Sequence, residues 1–168
     1  MMTVRLTPEL EVEDLDRSLA FYTGVIGWTV LYARPEERFV FLELDGADRA
    51  EPGASRRRRG RPGMAERETL GIQPAHLMLE EAAGPGRRFH GAPLEYPFGR
   101  GVNFQIQVAN VDAIHARVLA AQAQVVLPME ERWYRRTDHE TGNRQFVVAD
   151  PDGYRLRFFT DLGQRPFG

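Results

Sequence analysis

Phe146-Val147-Val148-Ala149-Asp150-Pro151-Asp152-Gly153-Tyr154-Arg155-Leu156-Arg157-Phe158-Phe159 reads as a strand, a tight turn and a second strand. In the turn, proline pre-sets φ and glycine supplies a positive φ without a steric penalty. After it, Tyr154, Leu156 and Phe158 alternate with Arg155, Arg157 and Phe159, the period of a strand that turns one face to a core. Toward the amino end, Asn103-Phe104-Gln105-Ile106-Gln107-Val108 alternates too. Asn110 is placed to cap a helix whose apolar stripe is Val111, Ile114 and Val118, and Val125 to Leu127 reads as a short strand. The order is β, α, β, β, β.

About a hundred residues earlier the same order occurs. Leu6-Thr7-Pro8-Glu9-Leu10-Glu11-Val12 alternates, with Leu6, Leu10 and Val12 toward a core and Thr7, Glu9 and Glu11 away from it. Asp14 is a candidate N-cap, Leu15, Leu19 and Tyr22 keep helical spacing, and Gly24 or Gly27 can end the helix. Strands are predicted at Trp28 to Tyr32 and Phe39 to Leu44, with Asp45-Gly46 as a turn and Leu77-Met78-Leu79 as the last strand. Phe39 to Gly46 aligns with Phe146 to Gly153, glycine on glycine. The pattern predicts an α+β fold of tandem βαβββ repeats, each a mixed sheet with a helix on its outer side. The first module takes residues 1–83 with an Arg/Gly/Pro-rich hairpin insertion at about 47–74, a linker takes 84–100, and the second module takes 101–168.

Composition narrows the function. With 168 residues the chain can bury a core without a metal or disulfide staple, and it contains no cysteine. All 22 basic residues are arginine, which excludes Schiff-base chemistry through a lysine amine. The formal charge of −2 does not favour nucleic acid as a partner, so the run Arg56-Arg57-Arg58-Arg59-Gly60-Arg61 is read as a solvated loop. No stretch approaches the roughly 20 apolar residues of a bilayer span. A soluble, cytoplasmic protein with no membrane partner is expected.

Asp14-Leu15-Asp16-Arg17-Ser18-Leu19-Ala20-Phe21-Tyr22 opening the first helix, with Asp150-Pro151-Asp152-Gly153 before the last strand, resembles the vicinal-oxygen-chelate superfamily of glyoxalases, bleomycin-resistance proteins and dioxygenases. The resemblance implies sheets curved into cups. In metal-dependent members His, Gln or Glu holds a divalent ion at four positions, which here fall on Thr7, Leu79, Asn103 and Arg157. None suits a dication, and Arg157 brings a fixed positive charge, so no metal and no cofactor are expected. Leu77-Met78-Leu79-Glu80 and the last strand resemble the metal-free bleomycin-resistance-like subgroup, although Thr141-Gly142-Asn143 stands where those proteins carry a tryptophan. That subgroup implies a homodimer with two clefts, sequestering a small molecule.

Strand parity lists the polar face independently of any family. Thr7, Glu9, Glu11, Asn103, Gln105, Gln107, Arg155 and Arg157 project away from the helices, as a hydrogen-bonding cleft or as Glu9 and Glu11 paired with Arg155 and Arg157 across adjacent strands. Tyr32, Phe39, Trp133 and Tyr134 offer π faces, the last two in a predicted polar loop, Trp133-Tyr134-Arg135-Arg136, over the cleft. The ligand-binding candidates are therefore Glu9, Glu11, Tyr32, Phe39, Asn103, Gln105, Trp133, Tyr134 and Arg157. With Arg135, Arg136 and Arg157 present, a neutral or anionic ligand is expected. His76 is read as a structural histidine, and His90, His115 and His139 share no ligand spacing. The first functional reading is non-catalytic binding and sequestration of an antibiotic or metabolite. The alternative is a metal-independent lyase or isomerase with Glu9, Glu11 or His139 as base, disfavoured because neighbouring guanidinium groups hold a carboxylate's pKa down.

Overall fold

A computed structural model describes residues 6–45 and 73–167. The Arg56–Arg61 run, Gly46 and most of the predicted insertion lie outside the described residues. Strands β1 (Glu9–Val12), β2 (Thr29–Arg34), β3 (Phe39–Leu44) and β4 (Ala75–Glu81) form one sheet in the order β1-β4-β3-β2. Strands β5 (Asn103–Gln107), β6 (Val125–Arg135), β7 (Glu140–Ala149) and β8 (Arg155–Arg165) form the second in the order β5-β8-β7-β6. In each sheet the first strand runs parallel to the last, and the other pairs are antiparallel. Helix α1 (Leu15–Ala20) continues into a wide π turn over Phe21–Ile26, and α2 is Val111–Ala120. The α+β reading with two βαβββ units holds.

Local chemistry explains both helices. The Asp14 side chain accepts from the Arg17 amide and the Asn110 side chain from the Ala113 amide, each satisfying an orphan N–H of a first turn. The first helix ends at Gly27, whose φ of 101° is costly for any residue with a Cβ. Leu10, Tyr22, Leu42, Leu79, Val118, Phe146, Leu156 and Phe158 are buried in one core cluster drawn from both modules. Each such side chain contributes about 2 kcal/mol by leaving water.

Five expectations change. Leu6 is 90% exposed, because pairing starts only at Glu9, and Pro8, without an N–H, contributes its carbonyl to the Met78 amide. The second strand runs Thr29–Arg34, with Trp28 buried ahead of it. Val125 to Leu127 is the start of an eleven-residue strand, and Trp133-Tyr134-Arg135 belongs to that strand and not to a loop. Register places Val40, not Phe39, at the helix-facing position of Phe146: Val40 pairs with Leu79 and Phe146 with Phe158, whereas Phe39 pairs with Glu80 on the opposite face. The glycine-on-glycine alignment is thus offset by one residue, which exchanges faces. Finally, β1 and β8 lie in different sheets, so the expected pairing of Glu9 and Glu11 with Arg155 and Arg157 is not made.

The two halves are locked together by the Asp-Pro-Asp-Gly turn. Asp150 and Asp152 are 3% and 1% exposed. Asp152 accepts from the Ser18 hydroxyl at 2.8 Å, the Arg17 guanidinium at 2.8 Å and the Glu13 amide at 3.1 Å. Asp150 accepts from the Tyr22 hydroxyl at 2.8 Å and from the Asp152 and Tyr154 amides. On the other side, Arg117 of α2 donates to the Val25 and Ile26 carbonyls that end the first helix. Buried carboxylates with several donors each stay paired, as their desolvation requires.

Candidate functional site

The polar residues of the two sheets form two separate faces with opposite charge. On the first sheet, Glu9 and Glu11 stand opposite Met78 and Glu80, with Phe39, Phe41 and Glu43 on the next strand. Tyr32, 48% exposed, stacks on Phe41 with ring centroids 5.0 Å apart. Phe39 lies beneath it, only 2% exposed and covered by the Arg34 guanidinium at 3.8 Å, so it packs this face from below and offers no open ring. His76 reaches Glu43 at 3.2 Å, and His90 lies 2.6 Å from Glu11.

Glu80, absent from the sequence-derived candidates, dominates this face. It is 7% exposed, and its pKa is pushed up to about 7 by burial first, then by a hydrogen bond shared with Glu9 and the charges of Glu9, Glu11 and Glu37. Parity with Met78 was the available signal for it. The arginines expected beside Glu9 and Glu11 lie on the other sheet; the register partner of Glu11 is Glu80.

The second sheet carries a cavity of about 500 Å³ lined by Gln105, Tyr134, Arg135, Arg136, Asn143 and Arg157, among others. Arg157 donates to Gln105 Oε1 at 2.5 Å. Below them Gln145, 2% exposed, donates to the Tyr134 hydroxyl and to Glu130. Gln145 and Asn143 were not among the candidates; they come to this face through the extra length of β7. Trp133 does not join them. Its register partner is Gly142, whose added Cβ would lie 2.8 Å from the indole, and the Arg165 guanidinium covers the ring at 4.1 Å, all on the opposite face from Tyr134. Asn103 lies at the strand's open end, exposed, and lines a second cavity of about 600 Å³ between the modules with Trp28, Leu77 and Phe104. The acidic cluster around His139 divides: His139 meets Asp138 at 2.6 Å, and Glu140 pairs with Arg165.

The residues do not fit the divalent metal of the metal-dependent proteins that the chain resembles. The two helix caps make Thr7 and Asn103 equivalent, and register makes Met78 the counterpart of Arg157. Leu79, assigned to that slot from sequence, is fully buried on the helix side. A thioether, a hydroxyl, an amide and a guanidinium already bonded to Gln105 are no set for a hard or borderline dication. Among the described residues no three His, Cys, Asp or Glu side chains are grouped to hold a metal.

Two solved structures share this fold, and a third is similar in sequence. TioX from Micromonospora sp. ML1 is 19% identical over 95% of this chain and 100% of that one, with a TM-score of 0.58. FosX, a genomically encoded fosfomycin resistance protein from Listeria monocytogenes, is 16% identical over 95% of this chain and 92% of that one, with a TM-score of 0.50. A superfamily member from Vibrio splendidus 12B01 is 32% identical over 95% and 100%, with a TM-score of 0.35. None of the curated proteins matches. Among the described residues no helix is long and apolar enough to cross a membrane. The sequence profile of the family matches residues 6–158, and the chain belongs to the Glyoxalase/Bleomycin resistance protein/Dioxygenase superfamily.

Proposed function

We propose that this protein binds and sequesters a small organic molecule without transforming it, as in bleomycin-type antibiotic resistance. The observation that carries this reading is Arg157, whose guanidinium occupies the cup at a metal-ligand position and is held there by Gln105. A fixed positive charge repels a dication, while guanidinium, amides and a phenol suit hydrogen-bonded recognition. Among the described residues the edges of β1 and β5 carry no partner strand, which suits the homodimer that the bleomycin-resistance-like subgroup implies. A cytoplasmic location suits the absence of cysteine. The test is to load the protein with Mn²⁺ or Zn²⁺, remove excess by gel filtration, measure bound metal and mass, and titrate bleomycin by calorimetry. We expect substoichiometric metal, a dimer mass and saturable heat with no change in the ligand. One tightly held ion per chain sinks this reading.

One observation favours the metal-independent lyase or isomerase as a second reading. Glu80, with its pKa near neutrality and Glu9 beside it, has the protonation behaviour of a general base. Conversion of a bound substrate that Glu80→Gln abolishes would establish it.

A further inference from the structure

Resting on the binding reading, we propose that the cavity of the second sheet is specific for an aromatic carboxylate, its carboxylate at Arg157 and its ring against Tyr134 and Phe159. Arg135, Arg136 and Arg157 line this cavity with Asp161 as the one acidic lining residue described. Among the described residues none of the three arginines is paired with a carboxylate, in contrast to Arg17, Arg34, Arg38, Arg144 and Arg165, each of which has one. Arg157 Nε and Arg155 Nη1 are buried and have no acceptor. Arg155 and Arg157 lie on the same face of β8, paired with Asn103 and Gln105 of β5. A guanidinium without a carboxylate partner is a strong donor, and a carboxylate matches the planar fork of Arg157 with two oxygens.

The rest of the lining narrows the anion. Gln105, Gln107, Asn143 and Gln164 are neutral amides that can hold one oxygen or another without adding charge. Asp161 on the rim and Glu130 behind Gln145 oppose a second negative charge, which disfavours a phosphate dianion. Phe159 and Tyr134 give the remaining wall the flat surface that a ring stacks on. The acidic first sheet, with Glu9, Glu11 and Glu80, has the opposite preference, so the two faces of one chain discriminate by charge.

The full chain is titrated by calorimetry with naphthalene-2-carboxylate, naphthalene-2-carboxamide, 2-naphthylmethylammonium and inorganic phosphate. The carboxylate should bind saturably and the carboxamide roughly tenfold more weakly, the loss of one charge-assisted contact. Arg157→Gln should weaken the carboxylate about tenfold and the carboxamide by less, so that the preference between them shrinks, with folding checked by circular dichroism. Should that variant misfold, Arg135→Gln with Arg136→Gln at the exposed hairpin end should weaken the carboxylate and flatten its salt dependence. Equal binding of carboxylate and carboxamide, no binding of either, or equally tight phosphate overturns the inference. Preference for the ammonium probe overturns it while leaving the sequestration reading intact. Chemical conversion of the carboxylate, followed by chromatography, removes that reading instead and leaves the charge preference standing.

Discussion

Glu80 shows how a single side chain can set the pH response of a face. Its pKa is raised to about 7 by burial and by Glu9, so the folded state holds its proton more tightly than the unfolded chain, where the value is about 4.5. The stability this contributes is complete below about pH 4.5 and is lost as pH rises through 7. Asp150, raised to about 6 chiefly by burial, acts in the same direction over a narrower window. Glu80→Gln keeps a donor for Glu9 and removes the ionisation, so it should stabilise the protein at pH 8 by on the order of 2 kcal/mol relative to its effect at pH 5. Urea melts at the two pH values would show this, and equal effects at both would mean that Glu80 is not held protonated. Glu80 was legible only in part: its strand was recognised, but its neighbours were not.

At the scale of elements, the β6–β7 hairpin shows where periodicity fails. Glu130 to Arg135 is rich in charge and half-exposed, Pro128 lies two residues before it, and the pairing slips between Leu127 and Glu130. An edge strand tolerates a proline at such an irregularity, yet from sequence alone the same features read as a loop. The hairpin depends on Gly142 for its closest contact, since any Cβ there would meet the Trp133 ring at 2.8 Å. Gly142→Ala should cost about 1–3 kcal/mol and shift Trp133 emission as the ring is displaced. Gly153→Ala should cost at least as much, because its φ is +91° and the new Cβ would lie 2.5 Å from Pro97. The comparison of the two variants by thermal melts separates crowding alone from crowding with backbone strain.

For the whole molecule, the two most recognisable motifs turn out to be partners. Ser18, Tyr22 and Arg17 of the first helix bond Asp152 and Asp150 of the last turn, more than a hundred residues away. Asp152→Ala leaves the Ser18 hydroxyl and the Glu13 amide without an acceptor, and should destabilise by about 2–4 kcal/mol. A double-mutant cycle with Ser18→Ala should give a coupling near 1 kcal/mol; additivity would place the two residues in independent units. Arg117, bonding the end of the first helix from the second module, makes the same coupling from the other side.

The chain by itself determined what depends on neighbours in sequence. Asp14 and Asn110 cap helices, Gly27 ends one, and alternation through Glu9–Val12 and Arg155–Phe158 assigns each residue to a face, because caps and strand period are local properties. Tertiary structure alone decided which faces meet. Parallel pairing of β1 with β4 and of β5 with β8 joins residues far apart in the chain, and no local pattern encodes such a pairing. That pairing gathers Glu9, Glu11 and Glu80 into one face and Gln105, Arg155 and Arg157 into another, and so separates the charges that a flat reading of the strands had placed together.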